Sequence, residues 1–245
     1  MRSKRKIIAT AIIKGGAGKT TTAAALAQAA QSAGKKVLAI DLDPQGNLTR
    51  FIGAEQDGGS LRLLHGEAAK SAVTATAQGI DIISSTPELA TETTYTGSIN
   101  RLTAALQPVK GYDLIMIDTP PQMGELTYNA LQAATDLLIP LEADISSIQG
   151  LYQISDIAAQ MKQSNPGLHV LGTIITRYDG RAKLNRYYYD TIAEKGDELR
   201  APLLMAIRTG IAVKEAQAMQ KSLFEYAPNS RPAQDYMQLY NLIFS

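Results

Sequence analysis

The sequence predicts a three-layer α/β/α sandwich built on a doubly wound, mostly parallel sheet. Apolar runs rich in Ile, Val and Leu recur along the chain, and stretches of helical composition separate them. The runs are continuous rather than alternating, which marks strands buried on both faces. With 245 residues, 45% of them hydrophobic, only three Phe and no Trp, the chain suits one α/β domain over 1–245 whose core is aliphatic and Ala-rich.

The strands are read at 7–13 (IIATAII), 37–42 (VLAIDL), 80–85 (IDIISS), 114–118 (LIMID), 136–141 (DLLIPL) and 170–176 (VLGTIIT). Helical segments lie between them: TTAAALAQAAQSA closed by Gly34, GELTYNALQAA, and SSIQGLYQISDIAAQMKQS closed by Asn165, Pro166 and Gly167. Residues 53–79 and 86–100, rich in Gly, Ser, Thr and Ala, read as surface loops with short helices. Near the end, Tyr236, Leu239, Tyr240 and Ile243 fall at i, i+3, i+4 and i+7 after Pro232, the pattern of a core-facing helix. In a parallel sheet of this kind, ligands sit beyond the carboxyl ends of the strands.

Composition narrows the chemistry. The absence of cysteine excludes disulfides, thiolate zinc sites, cysteine-ligated iron–sulfur clusters and cysteine nucleophiles, and it fits a reducing cytoplasm. The net charge of +1 announces no global basic field, so any nucleic-acid contact must come from a local patch. Residues 1–6, MRSKRK, form a short basic tail whose following apolar stretch is too short for a signal peptide or a membrane span.

After the first strand comes KGGAGKTT, residues 14–21, running directly into an Ala-rich helix. Gly15, Gly16 and Gly18 let the backbone curl with its N–H groups turned inward, and the helix adds its positive N-terminal end. Gly15, Gly16, Ala17, Gly18, Lys19, Thr20 and Thr21 therefore form a polyphosphate cradle. Lys19 is placed to bridge the β- and γ-phosphates, and the Thr20 hydroxyl to ligate Mg2+. Ile13 stands where the ordinary pattern has its first Gly, and a second lysine, Lys14, lies inside the loop. A second motif, LAIDLDPQGNLT at 38–49, ends a strand in two carboxylates. If the strand continues, Asp41 and Asp43 share one face and both look toward the phosphates, while DPQGN has turn-forming composition of its own. A third, LIMIDTPPQMG at 114–124, delivers Asp118 at the end of an apolar strand, the Walker B arrangement for holding Mg2+ through a water.

Lys14 and the glycines around it make the deviant Walker A pattern, and with DPQGN and DTPP in chain order the sequence resembles the ParA/MinD family. The likeness covers nearly the whole chain, strongly to about residue 180, and lies closest to ParA-type partition ATPases without an N-terminal helix-turn-helix. The resemblance implies a P-loop ATPase fold, ATP and Mg2+ as cofactors, and a dimer that sandwiches both nucleotides. Lys14 would then act on the partner's nucleotide, Asp43 would orient the attacking water and Asp41 would lie close to the metal shell. It also implies a ParB-like adaptor, non-specific DNA as partner, a nucleoid-associated cytoplasmic location, and no membrane. Candidate phosphate-contacting cations are Arg181, Lys183, Arg186, Arg208, Lys214 and Lys221. The segment Ile207–Ala212 departs from the family's usual arginine-bearing string. Alternatives are a positioner of a non-DNA cargo or a MinD-like membrane switch. The latter is disfavoured because no Lys, Arg or His follows Arg231. Tyr187, Tyr188 and Tyr189 read as packing residues, and His65 and His169 as ordinary surface or packed residues.

Overall fold

The computed structural model describes residues 5–94 and 99–244. Eight strands form one sheet in the order β3-β4-β2-β5-β1-β6-β7-β8. They are β1 (Lys6–Thr10), β2 (Val37–Asp41), β3 (Thr74–Ala75), β4 (Asp81–Ile83), β5 (Leu114–Asp118), β6 (Asp136–Leu141), β7 (His169–Tyr178) and β8 (Leu203–Arg208). All neighbours are parallel except the short β3, which runs antiparallel to β4. The doubly wound parallel sheet is as the apolar runs predict. β2, β5 and β6 are buried along their whole length, which explains why their sequences carry no polar alternation.

Helices cover both faces: α1 (Lys19–Ser32), α2 (Asn47–Ile52), α3 (Gly59–Leu64), α4 (Ala69–Ala72), α5 (Arg101–Leu106), α6 (Glu125–Ala133), α7 (Ile145–Met161), α8 (Lys183–Glu198), α9 (Ile211–Ala218), α10 (Leu223–Tyr226) and α11 (Arg231–Phe244). One core layer gathers Ile12, Ile40, Ile117, Leu126, Leu151 and Ile154. The other packs α1 and α11 against the sheet through Leu26, Met116, Tyr236, Leu239 and Ile243. The alanines of α1 are buried nearly throughout, so the helix lies close against the strands and delivers its N-terminus, with the glycine loop, to the strand ends.

The first strand ends at Thr10, not Ile13, because residues 11–18 turn away as the loop. The stretches taken as surface loops contribute Leu63, Leu64, Ala69, Ala72 and Leu89 to the core. β8 was not foreseen; its Leu203, Leu204 and Met205 are only half-buried at the sheet edge. Lys6 opens β1 and pairs with Asp136, so it is not tail. Residues 1–4 of the basic tail and 95–98 of the second loop stretch lie outside the described residues. Tyr189 packs on Tyr178 at 5.5 Å between ring centroids, while Tyr187 is exposed.

Candidate functional site

Three strand ends meet beside the glycine loop. Register pairs Thr10 of β1 and Asp41 of β2 each with Asp118 of β5, so two carboxylates and a hydroxyl lie side by side. The Thr10 hydroxyl donates to Asp118 Oδ1 at 3.3 Å, and Thr119 Oγ1 donates to the Thr10 carbonyl at 2.8 Å. Asp118 Oδ2 is buried and has no hydrogen-bond partner. Burial, then the Asp41 charge, pushes the Asp118 carboxyl well above the usual carboxylate range, against the lowering effects of Thr20 and Lys19. An orphaned oxygen on a buried acid beside a hydroxyl and an ammonium lacks positive charge. A Mg2+ would fit that deficit, and Thr20 and Asp118 are the residues that would hold it.

The loop turns at Gly16 and Gly18, whose φ values of +77° and +88° lie in the left-handed region. Lys19 is almost fully buried, and its ammonium donates to the Lys14 carbonyl at 2.9 Å and the Ile12 carbonyl at 3.4 Å. Burial lowers its pKa, opposed by Asp118 and Asp43. The loop, with Thr20, Thr21, Asp43 and Pro121, lines an open cleft of about 360 Å3. A second cavity of about 270 Å3 adjoins it, lined by Gly18, Thr21, Arg208, Thr209, Lys214 and Gln217 among others.

Asp41 and Asp43 do not share a strand face. β2 ends at Asp41, and the Asp41 carboxylate is taken up within the chain. Oδ2 accepts from Thr49 N at 2.8 Å and Thr49 Oγ1 at 2.7 Å, and Oδ1 accepts from Asp43 N at 3.1 Å. Burial outweighs these bonds and lifts its pKa to about 6. The geometry thus gives Asp41 the task of anchoring α2 and the turn that carries Asp43. In that turn Asp43 Oδ1 accepts from Gln45 N and its carbonyl accepts from Gly46 N and Ser85 Oγ, and the carboxylate borders the phosphate cleft.

Lys14 turns out of the cradle. Its ammonium pairs with Asp144, donates to Ser147 Oγ at 3.2 Å and lies 3.4 Å from Glu142. Asp144 caps α7 by accepting from Ser147 N at 2.8 Å. Partial burial works to raise its pKa, but the bonds from Lys14, Ser147 and Ser146 prevail and hold it at about 2. Glu142, Asp144 and Arg177 were not singled out from sequence; all three follow or end β6 and β7 at their carboxyl ends, which is the signal that could have found them.

The six cations proposed as a patch separate. Arg208 is tied to the buried Asp235 by Nε and Nη2 bonds of 2.7 to 3.1 Å, with its backbone N–H also donating to Asp235 at 2.8 Å. Arg181 makes the same fork to Asp179. Arg186 donates to the Gly180 carbonyl. Lys183 begins α8, and Lys214 and Lys221 lie in and just after α9, all exposed. Arg208 is thus anchored by Asp235, while its side chain stays 45% exposed on the wall of the second cavity.

Such a loop, strand-end acid and adjoining cavity define a P-loop nucleotide hydrolase. A family model described as an AAA domain matches residues 5–170. The chain is 35% identical over 242 residues to the chromosome-partitioning ATPase Soj of Thermus thermophilus, covering 98% of this chain and 95% of that one. Among solved structures it resembles cobyrinic acid a,c-diamide synthase from Mycobacterium smegmatis with bound ATP analog and magnesium (28% identity, TM-score 0.84, 98% and 95% of the chains). It also resembles apo McdA from Cyanothece (27% identity, TM-score 0.84, 97% and 100%). The chain belongs to the ParA/MinD family of P-loop ATPases.

Proposed function

We propose that this ATPase is a ParA-type partition switch. ATP assembles a sandwich dimer that holds non-specific DNA, and a ParB-like adaptor stimulates the hydrolysis that releases it. The observation that carries this reading is the division of labour between two lysines of one loop. Lys19 points into the cradle, while Lys14 sits outside it on Glu142 and Asp144. A lysine turned out of its own cradle would serve a partner's by exchanging Glu142 and Asp144 for the transferred phosphoryl, whose developing charge it would neutralise.

In this reading the loop N–H groups and Lys19 bind the polyphosphate, and the base enters the adjoining cavity. Asp43, fixed by its turn and by Asp41 behind it, orients the attacking water. Thr20 and Asp118 would hold the Mg2+, which would supply neutralisation of phosphate charge. The γ-phosphate biases the monomer–dimer equilibrium, and its loss resets the switch. The cobyrinic acid a,c-diamide synthase neighbour shares the fold, but Lys14, DPQGN and the identity to Soj favour the partition ATPase. α11 is packed against α1 and β8 through its apolar face, as a core helix is. Among the described residues no helix is long and apolar enough to cross a membrane. The location that fits is the nucleoid in the cytoplasm.

The test is retention on random-sequence DNA with no nucleotide, with ADP and with ATP. Retention is expected with ATP alone, weakening steeply with salt, and lost when Lys183, Arg186 and Lys214 are changed together to Glu. Equal retention in all three states contradicts the reading.

A further inference from the structure

We infer that Arg177 is a nucleotide-binding residue that grips the α-phosphate of its own chain's nucleotide and is held by Glu142 until the nucleotide arrives. This rests on the nucleotide site described above and adds a residue and a latch to it. Four residues line both the phosphate cleft and the adjoining cavity: Gly18, Thr21, Arg177 and Gln217. A nucleotide with its polyphosphate on the loop and its base in the cavity must pass its α-phosphate and ribose across that boundary. Arg177 is the one charged side chain of the four.

The backbone supports the same role. Arg177 has φ of +52°, a left-handed conformation that a long side chain adopts only where the surroundings enforce it, and such residues gather at ligand sites. It lies where the β7–β8 pairing slips between Ile175 and Tyr178, an irregularity of the kind that re-aims a side chain at a strand end.

The partners complete the argument. Arg177 Nη1 donates to Glu142 Oε1 at 2.8 Å, while Glu142 Oε2 lies 3.4 Å from the Lys14 ammonium. One carboxylate therefore spans two cations on the rim of the cleft. The Arg177 side chain is 58% exposed, so its ion pair is weak and exchangeable. Arg208, in the same cavity wall, is forked onto buried Asp235 and cannot move without breaking several bonds. A phosphate offers the Arg177 fork a stronger, bidentate acceptor than an exposed carboxylate does.

Calorimetric binding of ADP with Mg2+, and of adenosine, to the full chain tests this, alongside the melting temperature without ligand. Glycine and asparagine both tolerate left-handed backbone, so Arg177→Gly and Arg177→Asn should melt no lower than wild type. Each should bind ADP roughly 10- to 100-fold more weakly, as expected for a charge-assisted contact, with adenosine affinity unchanged. Glu142→Gln should tighten ADP binding roughly two- to fivefold by removing the competing anion. ADP affinity unchanged in both Arg177 variants while Lys19→Ala abolishes binding overturns this inference and leaves the site intact. Equal loss for ADP and adenosine overturns the phosphate contact, and unchanged ADP affinity in Glu142→Gln overturns the latch. Wild type that fails to bind ADP overturns the site and the inference together.

Discussion

Arg208→Ala should destabilise the fold more than removal of both partners of its ion pair. Asp235 is 5% exposed, and its carboxylate accepts the Arg208 fork at 2.7 to 3.1 Å and the Arg208 backbone N–H at 2.8 Å. Truncating the arginine leaves a buried charge with the backbone N–H alone. Breaking a buried pair this way costs about 3–5 kcal/mol. The Arg208 side chain is 45% exposed, so solvent screens the pair and about 2–3 kcal/mol is the better figure. At about 2–4 °C per kcal/mol for a chain of this length, melting should fall by roughly 5–10 °C. Arg208→Ala/Asp235→Ala removes the stranded charge and should recover part of that loss, which calorimetric melts of the two variants at pH 7.5 measure. A fall under about 1 °C for Arg208→Ala is what a solvated surface arginine gives; that result, or a double variant less stable than the single, refutes the anchoring of Arg208 by Asp235.

Gly18→Ala should cost about 2–4 kcal/mol in urea denaturation, from left-handed strain and overpacking together. Its Cβ would lie 3.0 Å from Thr176 Cγ2, and Thr176 is pinned by donating to the Ala17 and Leu141 carbonyls. Gly15→Ala, with nothing within 4 Å, should stay within about 0.5 kcal/mol of wild type; equal losses would mean that the crowding at Gly18 is absent. Stability should also depend on pH through Asp41. With its pKa raised to about 6, Asp41 keeps in the fold a proton that the unfolded chain has already lost above about pH 4. Its contribution to stability is therefore full at low pH and is lost as pH rises through 4–6, by about 3 kcal/mol in all. Asp41→Asn should accordingly gain stability relative to wild type between pH 4.5 and 7 in urea titrations, and a difference that does not move in the variant's favour as pH rises contradicts the burial argument.

The parallel sheet, the glycine loop and Asp118 were legible because each is written locally. Continuous apolar runs mark buried strands, and Gly, Lys and Thr at fixed spacing make a cradle within eight residues. β8 was not read, although its apolar run LLMAI after Pro202 is no shorter than that of β5; its first residues are only half-buried at the sheet edge. The layer under 59–72 escaped notice because Gly, Ser and Ala dominate its composition, although Leu63 and Leu64 anchor it. The side-chain partnerships of the site were the least legible. Glu142 meets Lys14 and Arg177, and Asp235 meets Arg208, across 27 or more residues of chain, and no spacing rule encodes such pairings. Asp41 misled for a related reason. Its period-2 relation to Asp43 holds only inside a strand, and the strand ends between them, freeing Asp41 to bind Thr49.

The central claim, that Lys14 completes a partner's site in an ATP dimer, is tested most directly by mixing two inactive variants. Lys14→Ala keeps Asp43 but lacks the lysine it owes its partner, and Asp43→Ala keeps the lysine but lacks its own water-positioning carboxylate. In a two-fold dimer formed at random from equal amounts, half the dimers are mixed and one of their two sites is complete, so ATP turnover should return to about one quarter of wild type. Turnover that stays at the level of the separate variants, although both bind ATP, would place Lys14 in its own chain's site and contradict the account.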